Sequence, residues 1–176
     1  MKYNVKFGLQ TQTIILVKPY LITLSLFAST LLTFAQKLPS ANLQTIDNKT
    51  ISTKTISSKE GLVVMSFWAT WCVPCINELD AISEVFEDWK DEVNFTFYAV
   101  SIDDARTKNR IRPMVKGKSW PYQVLIDDNQ DLKRGLNISS MPYVIVLKKG
   151  EIVHKHTGYT QGAEEELFKT LKSLSK

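Results

Sequence analysis

Two hydrophobic patterns carry the chain: runs that are apolar on both parities, and stretches whose apolar residues stand three or four apart. Leu62-Val63-Val64-Met65-Ser66-Phe67-Trp68 is apolar throughout except at Ser66, the pattern of a strand buried on both faces of a sheet. From Val73 to Trp89 the apolar positions Ile76, Leu79, Ile82, Phe86 and Trp89 fall at helical spacing. Pro74 stands in the first turn of that helix, where its missing N–H loses no hydrogen bond. Asn94 to Ser101 reads as a second strand, so the three elements form a β-α-β unit whose right-handed crossover makes the strands parallel.

The flanking segments extend this unit. The polar, hydroxyl-rich stretch from Gln36 to Glu60 holds β-favouring pieces at Leu43 to Ile46 and Thr50 to Ile56 around the turn Asp47-Asn48-Lys49, which predicts a hairpin covering one edge or end of the sheet. Asp103 to Lys116 is a weaker helix pattern interrupted by Pro113, followed by a strand at Tyr122 to Ile126. Asp127-Asp128-Asn129 reads as a solvated turn before a short helix at Asp131 to Leu136. Met141-Pro142 opens a strand at Tyr143 to Leu147, and a short turn leads into Ile152 to Thr157, an antiparallel pair. Ala163 to Lys176 closes the chain as a helix, glutamates first and lysines last as the macrodipole favours. The sum is an α/β domain with a mixed central sheet flanked by helices on both faces and an N-terminal β-hairpin extension.

Composition narrows the picture. With 176 residues, 44% of them hydrophobic, the chain can bury a substantial core in one domain. The net charge is +4, but Lys2, Lys6 and Lys18 lie in the first 35 residues, where no acid occurs, and the remainder carries 19 basic against 18 acidic residues. No Lys/Arg stripe with interleaved aromatics appears, so a nucleic-acid partner is set aside. The uncharged run from Tyr20 to Ala35, ending Thr33-Phe34-Ala35, has the form of an export signal cleaved after Ala35. This divides the chain into a signal at 1–35 and a domain at 36–176. The alternative is an uncleaved membrane anchor, although Lys18-Pro19 interrupts the apolar stretch. Either reading puts the folded part outside the cytoplasm, and the style of the signal suggests a bacterial periplasm.

That compartment permits disulfides, which bears on the only two cysteines, Cys72 and Cys75. A structural staple between residues so close in sequence would close a tiny loop and stabilise weakly. A zinc site normally needs four Cys or His ligands, and the only histidines, His154 and His156, share parity on a late strand, where they read as its polar face; no metal site is assigned. Redox chemistry is what remains. Cys72 opens the helix, where amides and dipole favour its thiolate, so it is the expected nucleophile; Cys75, one turn on, is the expected resolving sulfur. No cofactor is expected beyond a redox-active Cys72–Cys75 disulfide.

Glu78 lies about 60° from Cys75 around the helix, at the border of the apolar face. There its carboxyl is either a solvated helix-start acid or a partly desolvated group able to exchange protons with the sulfurs.

The element order, with Trp71-Cys72-Val73-Pro74-Cys75 between the first core strand and its helix and Met141-Pro142 before the late hairpin, resembles the thioredoxin fold. Phe67-Trp68-Ala69-Thr70-Trp71-Cys72-Val73-Pro74-Cys75 followed by Glu78-Leu79 is similar to the exported thiol-disulfide reductases of the TlpA and ResA type. The resemblance implies that Pro142 is a cis-proline beside the sulfurs, that Glu78 serves in proton transfer, and that Trp71, Val73, Pro74, Met141 and Pro142 line the substrate surface. Thioredoxin itself has a buried aspartate on the central strand, where this chain has Ser66. Asp80 and Tyr143 depart from the family, which usually has proline and threonine there. Val73-Pro74 supplies no charge to stabilise a reduced thiolate, which favours a reductant over an oxidant. The implied partners are disulfide-bearing exported proteins, apocytochrome c before haem attachment among them, and a membrane thiol electron donor. A thiol peroxidase on the same fold and a non-catalytic binding module are the competing readings.

Overall fold

The computed structural model describes residues 36–176; the export signal assigned to residues 1–35 lies outside the described residues. The strands are β1 (Gln36–Lys37), β2 (Asn42–Thr45), β3 (Thr50–Ser52), β4 (Leu62–Trp68), β5 (Phe95–Ser101), β6 (Gln123–Ile126), β7 (Tyr143–Lys148) and β8 (Glu151–Thr157). The helices are α1 (Thr53–Ser57), α2 (Val73–Glu92), α3 (Ile111–Lys118), α4 (Asp131–Gly135) and α5 (Ala163–Ser175). One mixed sheet holds all eight strands in the order β1-β8-β7-β4-β5-β6-β2-β3. β4 lies near its middle, parallel to β5 and antiparallel to β7. All seven residues of β4 are buried, which accounts for their apolar character on both parities.

The N-terminal hairpin extends the sheet edge, β2 pairing with β6 and β3 lying outermost. Its second arm ends sooner than the sequence predicts: Ser52 accepts a hydrogen bond from the Lys54 amide and caps α1, which turns Ile56 into the core. β1, two residues long, pairs with β8 at the opposite edge and has no sequence signal. The helix expected from Asp103 begins only at Ile111, after a 3₁₀ turn at Lys108–Arg110. Pro113 is then its third residue, so no intrahelical N–H is missed.

α2 packs on the sheet face that carries Ser66. The Phe86 ring meets those of Phe95, Phe97 and Tyr122 edge-on, with centroids 5.7, 6.3 and 5.5 Å apart. Such contacts are worth about 0.5–1.5 kcal/mol each beyond the area they bury. α5 lies alongside α2 through a stack of Phe168 on Trp89, centroids 4.9 Å apart. Asp80 ties α2 to α3, accepting from the Trp120 indole N–H at 2.9 Å and pairing with Lys118, so this departure from the family pattern has an internal task. No helix among the described residues is long and apolar enough to cross a membrane.

One irregularity matters for the site. Along β7 and β8, Val146 pairs with His154 but Leu147 pairs with Ile152, which leaves Val153 as a bulge. Paired residues share a face, so the bulge puts Ile152 on one side of the sheet and His154 with His156 on the other, the side of Ser66 and α2. Parity read along the sequence cannot register that reversal.

Candidate active site

The loop Ala69-Thr70-Trp71 carries the chain from β4 into α2. Cys72 sits immediately before the helix with extended backbone; its amide donates to the Ala69 carbonyl at 3.0 Å and its carbonyl accepts from the Ile76 amide at 3.1 Å. The two sulfurs are joined in a disulfide with the Cα atoms 5.3 Å apart. Cys72 keeps 7% of its surface accessible and Cys75 none, so the pair is asymmetric: the first cysteine reaches the surface and the second is sealed. Trp71 and Val73, 57% and 65% exposed, put apolar surface on either side of Cys72 in the chain, and Pro74 is exposed beside them.

Met141 and Pro142 come to the same end of the sheet. Tyr143 pairs with Phe67, so the two residues before it fall beside the end of β4, where the loop to Cys72 departs. The Met141–Pro142 peptide bond is cis. Pro142 is buried, its carbonyl accepts from the Gly158 amide at 2.8 Å, and Met141 is half-buried.

Glu78, one turn beyond Cys75 on α2, is buried rather than solvated. Ser66 Oγ donates to its Oε2 at 2.8 Å. Burial pushes the carboxyl up to about 7; the hydrogen bond from Ser66 pulls against this, and the charge of Glu164 adds to the rise. A cavity of about 190 Å³ adjoins Glu78 and is lined also by His154 and His156 of β8 and Glu164, Glu166 and Thr170 of α5. Both histidines thus border a cavity beneath α5, His154 half-buried and His156 still exposed as on a polar strand face. Among the described residues no cluster of three or more His, Cys, Asp or Glu side chains is arranged to hold a metal ion.

One site residue was not legible in the sequence. Asp103, fully buried, accepts from the Thr70 amide at 2.8 Å, from Thr70 Oγ1 at 2.6 Å and from Ser101 Oγ at 2.8 Å. It pins the loop that delivers Cys72. As an acid following a strand it reads as a helix start, and only the fold brings Thr70 to it across thirty-odd residues. Asp127, expected in a solvated turn, is buried as well and accepts from the Leu132 and Lys133 amides at 3.2 and 2.8 Å, capping α4. Asp128 remains at the surface and pairs with Lys108.

A mixed sheet whose central strand delivers a disulfide to the N-terminus of a helix, with a cis-proline at the same sheet end, defines a thioredoxin-like protein. The model of the AhpC/TSA family matches residues 34–156, and the chain belongs to that family. It superposes on a thioredoxin-like protein of Porphyromonas gingivalis with a TM-score of 0.70 at 42% identity, covering 81% of this chain and 94% of that one. It is 27% identical over 133 residues to the thioredoxin-like protein YneN of Bacillus subtilis, spanning 74% of this chain and 75% of YneN. The thiol-disulfide oxidoreductase ResA of Bacillus thuringiensis is 23% identical over 114 residues, 64% of this chain and 63% of ResA. ResA is of the type that the Trp-Cys-Val-Pro-Cys stretch and Glu78 resemble.

Proposed function

We propose that the chain is a thiol-disulfide oxidoreductase that reduces disulfides in exported proteins, with Cys72 as nucleophile, Cys75 as resolving sulfur and Glu78 as proton carrier. The observation that carries this reading is the asymmetric disulfide at the N-terminus of α2, with only Cys72 touching the surface. The similarity to ResA and YneN supports it.

In the reduced form the Cys72 thiolate, favoured by the helix N-terminus, attacks a substrate disulfide; one substrate sulfur leaves as a thiolate and the other stays bonded to Cys72. Cys75 then gives its proton to the Glu78 carboxylate and attacks Cys72 Sγ, which releases the second substrate thiolate and closes the Cys72–Cys75 disulfide. Over the two steps the protein loses two electrons and the substrate gains them. Trp71, Val73, Pro74, Met141 and Pro142 hold an extended substrate segment against Cys72. A membrane thiol donor restores the dithiol, and the reaction runs outside the cytoplasm, in the periplasm, with disulfide-bearing exported proteins such as apocytochrome c as substrates.

The deciding experiment equilibrates the Cys72/Cys75 couple in a glutathione redox buffer. A reductant is expected near the roughly −270 mV of thioredoxin, whereas a value near the roughly −120 mV of DsbA overturns the direction of electron flow. Reduction of insulin disulfides, present in the wild type and lost in Cys72→Ser, separates the enzyme from a binding module. Peroxide consumption faster than disulfide reduction would instead favour the peroxidase reading.

A further inference from the structure

Cys75 has no accessible surface, and Glu78 keeps only 4%. A substrate protein held on Trp71 and Val73 covers Cys72, the one cysteine of the pair with accessible surface. The proton that Glu78 takes from Cys75 therefore needs a path on another side. The cavity that adjoins Glu78 includes none of Trp71, Cys72, Met141 or Pro142 in its lining. Its polar residues grade from buried to exposed: Glu78 is buried, His154 and Glu164 are half-buried, and His156 and Glu166 stand in solvent.

The sheet register builds this arrangement. Ser66 pairs with Val144 and Val144 with His156 in one row on one face; Val64, Val146 and His154 form the next row. Glu78 lies over the first row, held by Ser66 Oγ at 2.8 Å. The bulge at Val153 is what turns both histidines toward that face. Glu164 is held in place by the Tyr159 hydroxyl and the Gly162 amide, which donate to its Oε2 at 3.0 and 3.1 Å.

We propose that Glu78 releases its proton to solvent through the cavity beneath α5, with His154 and Glu164 as the groups that hand it on, while the substrate still covers the Cys72 face. The inference rests on Glu78 being the proton carrier of the proposed reaction. The step is a proton transfer alone: neutral Glu78 loses the proton it received from Cys75, His154 Nδ1 or Nε2 or Glu164 accepts it, and water takes it at the mouth of the cavity. His154 and His156 from β8 and Glu164 and Glu166 from α5 share the cavity with Glu78, and Tyr159 from the turn before α5 and Tyr122 from the segment before β6 lie within reach of its charge. Burial and the neighbouring His156 hold His154 below the usual imidazole range, so near neutral pH it is unprotonated and has a ring nitrogen free to accept.

Two variants test the path: Thr170→Leu, which puts a larger apolar side chain into the cavity lining, and His154→Ala, which removes the relay group and leaves room for a small base. Quenched-flow measurement gives the rate of resolution of the mixed disulfide against pH. Trapping with the Cys75→Ala background gives the rate of first attack. Both variants are expected to slow resolution several-fold more than first attack, and added imidazole is expected to restore His154→Ala but not Thr170→Leu. Wild-type resolution rates in either folded variant, or equal slowing of both steps, overturn the proposal. Glu78→Gln is run in parallel. If it leaves resolution unchanged, the proton-carrier reading fails and this inference with it; if it slows resolution while the cavity variants do not, only the exit path fails.

Discussion

Ser66 of β4 donates to Glu78 of α2 at 2.8 Å, so a hydroxyl at the position where thioredoxin has its buried aspartate is coupled to the carboxyl supplied by the helix. The single polar interruption of an otherwise apolar strand thus has a partner, and the partner is the buried acid nearest Cys75 in sequence.

Removing the donor isolates that coupling. The Ser66 hydrogen bond is the main influence that opposes burial at Glu78. Hydrogen bonds to charged groups contribute about 1.5–3 kcal/mol, so Ser66→Ala is expected to lift Glu78 further above its value of about 7 by roughly one unit or more. Carboxyl ¹³C chemical shifts of Glu78 followed against pH check this. A titration that stays where it is would show that Ser66 does not govern the carboxyl.

The same carboxyl makes stability depend on pH. Its folded value, about 7, lies above the unfolded 4.5, so the native state holds the proton more tightly. Its contribution to stability is fully present below pH 4.5 and is lost as pH rises to 7, a loss of about 3 kcal/mol at about 1.36 kcal/mol per unit. Glu78→Gln stays neutral throughout, so urea denaturation of the disulfide form at pH 5 and pH 8 should show a smaller fall in stability than in wild type, by up to that amount. An equal fall in both proteins would mean that Glu78 is not the group responsible.

Asp103 is expected to act through the loop it holds. Asp103→Asn keeps the shape but exchanges one acceptor for a donor facing Thr70 or Ser101, a loss of about 1–3 kcal/mol. The Thr70 amide, which donates to Asp103 at 2.8 Å, should then lose protection from hydrogen exchange ahead of the strand amides of β4. Unchanged protection at Thr70 would remove Asp103 as the anchor of the active-site loop.

The asymmetry of the disulfide predicts which sulfur traps a partner. Cys75→Ala should accumulate a mixed disulfide on Cys72, visible by mass spectrometry, whereas Cys72→Ala, which leaves only the sealed Cys75, should accumulate little. Equal trapping by both variants would contradict the exposure difference between the two cysteines.

Much of this was written in the chain itself. The apolar run of β4, the helical spacing of α2 and the short linkers between later elements are local signals, because strand burial and helix amphipathicity have fixed periods. They were enough for the β-α-β unit, the late hairpin and the cysteines at a helix start. Tertiary structure decided what no period can carry. Whether Glu78 is wet or dry depends on how α2 packs on the sheet, which sets its carboxyl beside Ser66. Asp103 meets Thr70 only because β4 and β5 are adjacent and end together. His154 and His156 face the cavity because a bulge at Val153 resets parity along β8, and the pairing of two strands, not the order of residues in one, sets where that extra residue falls.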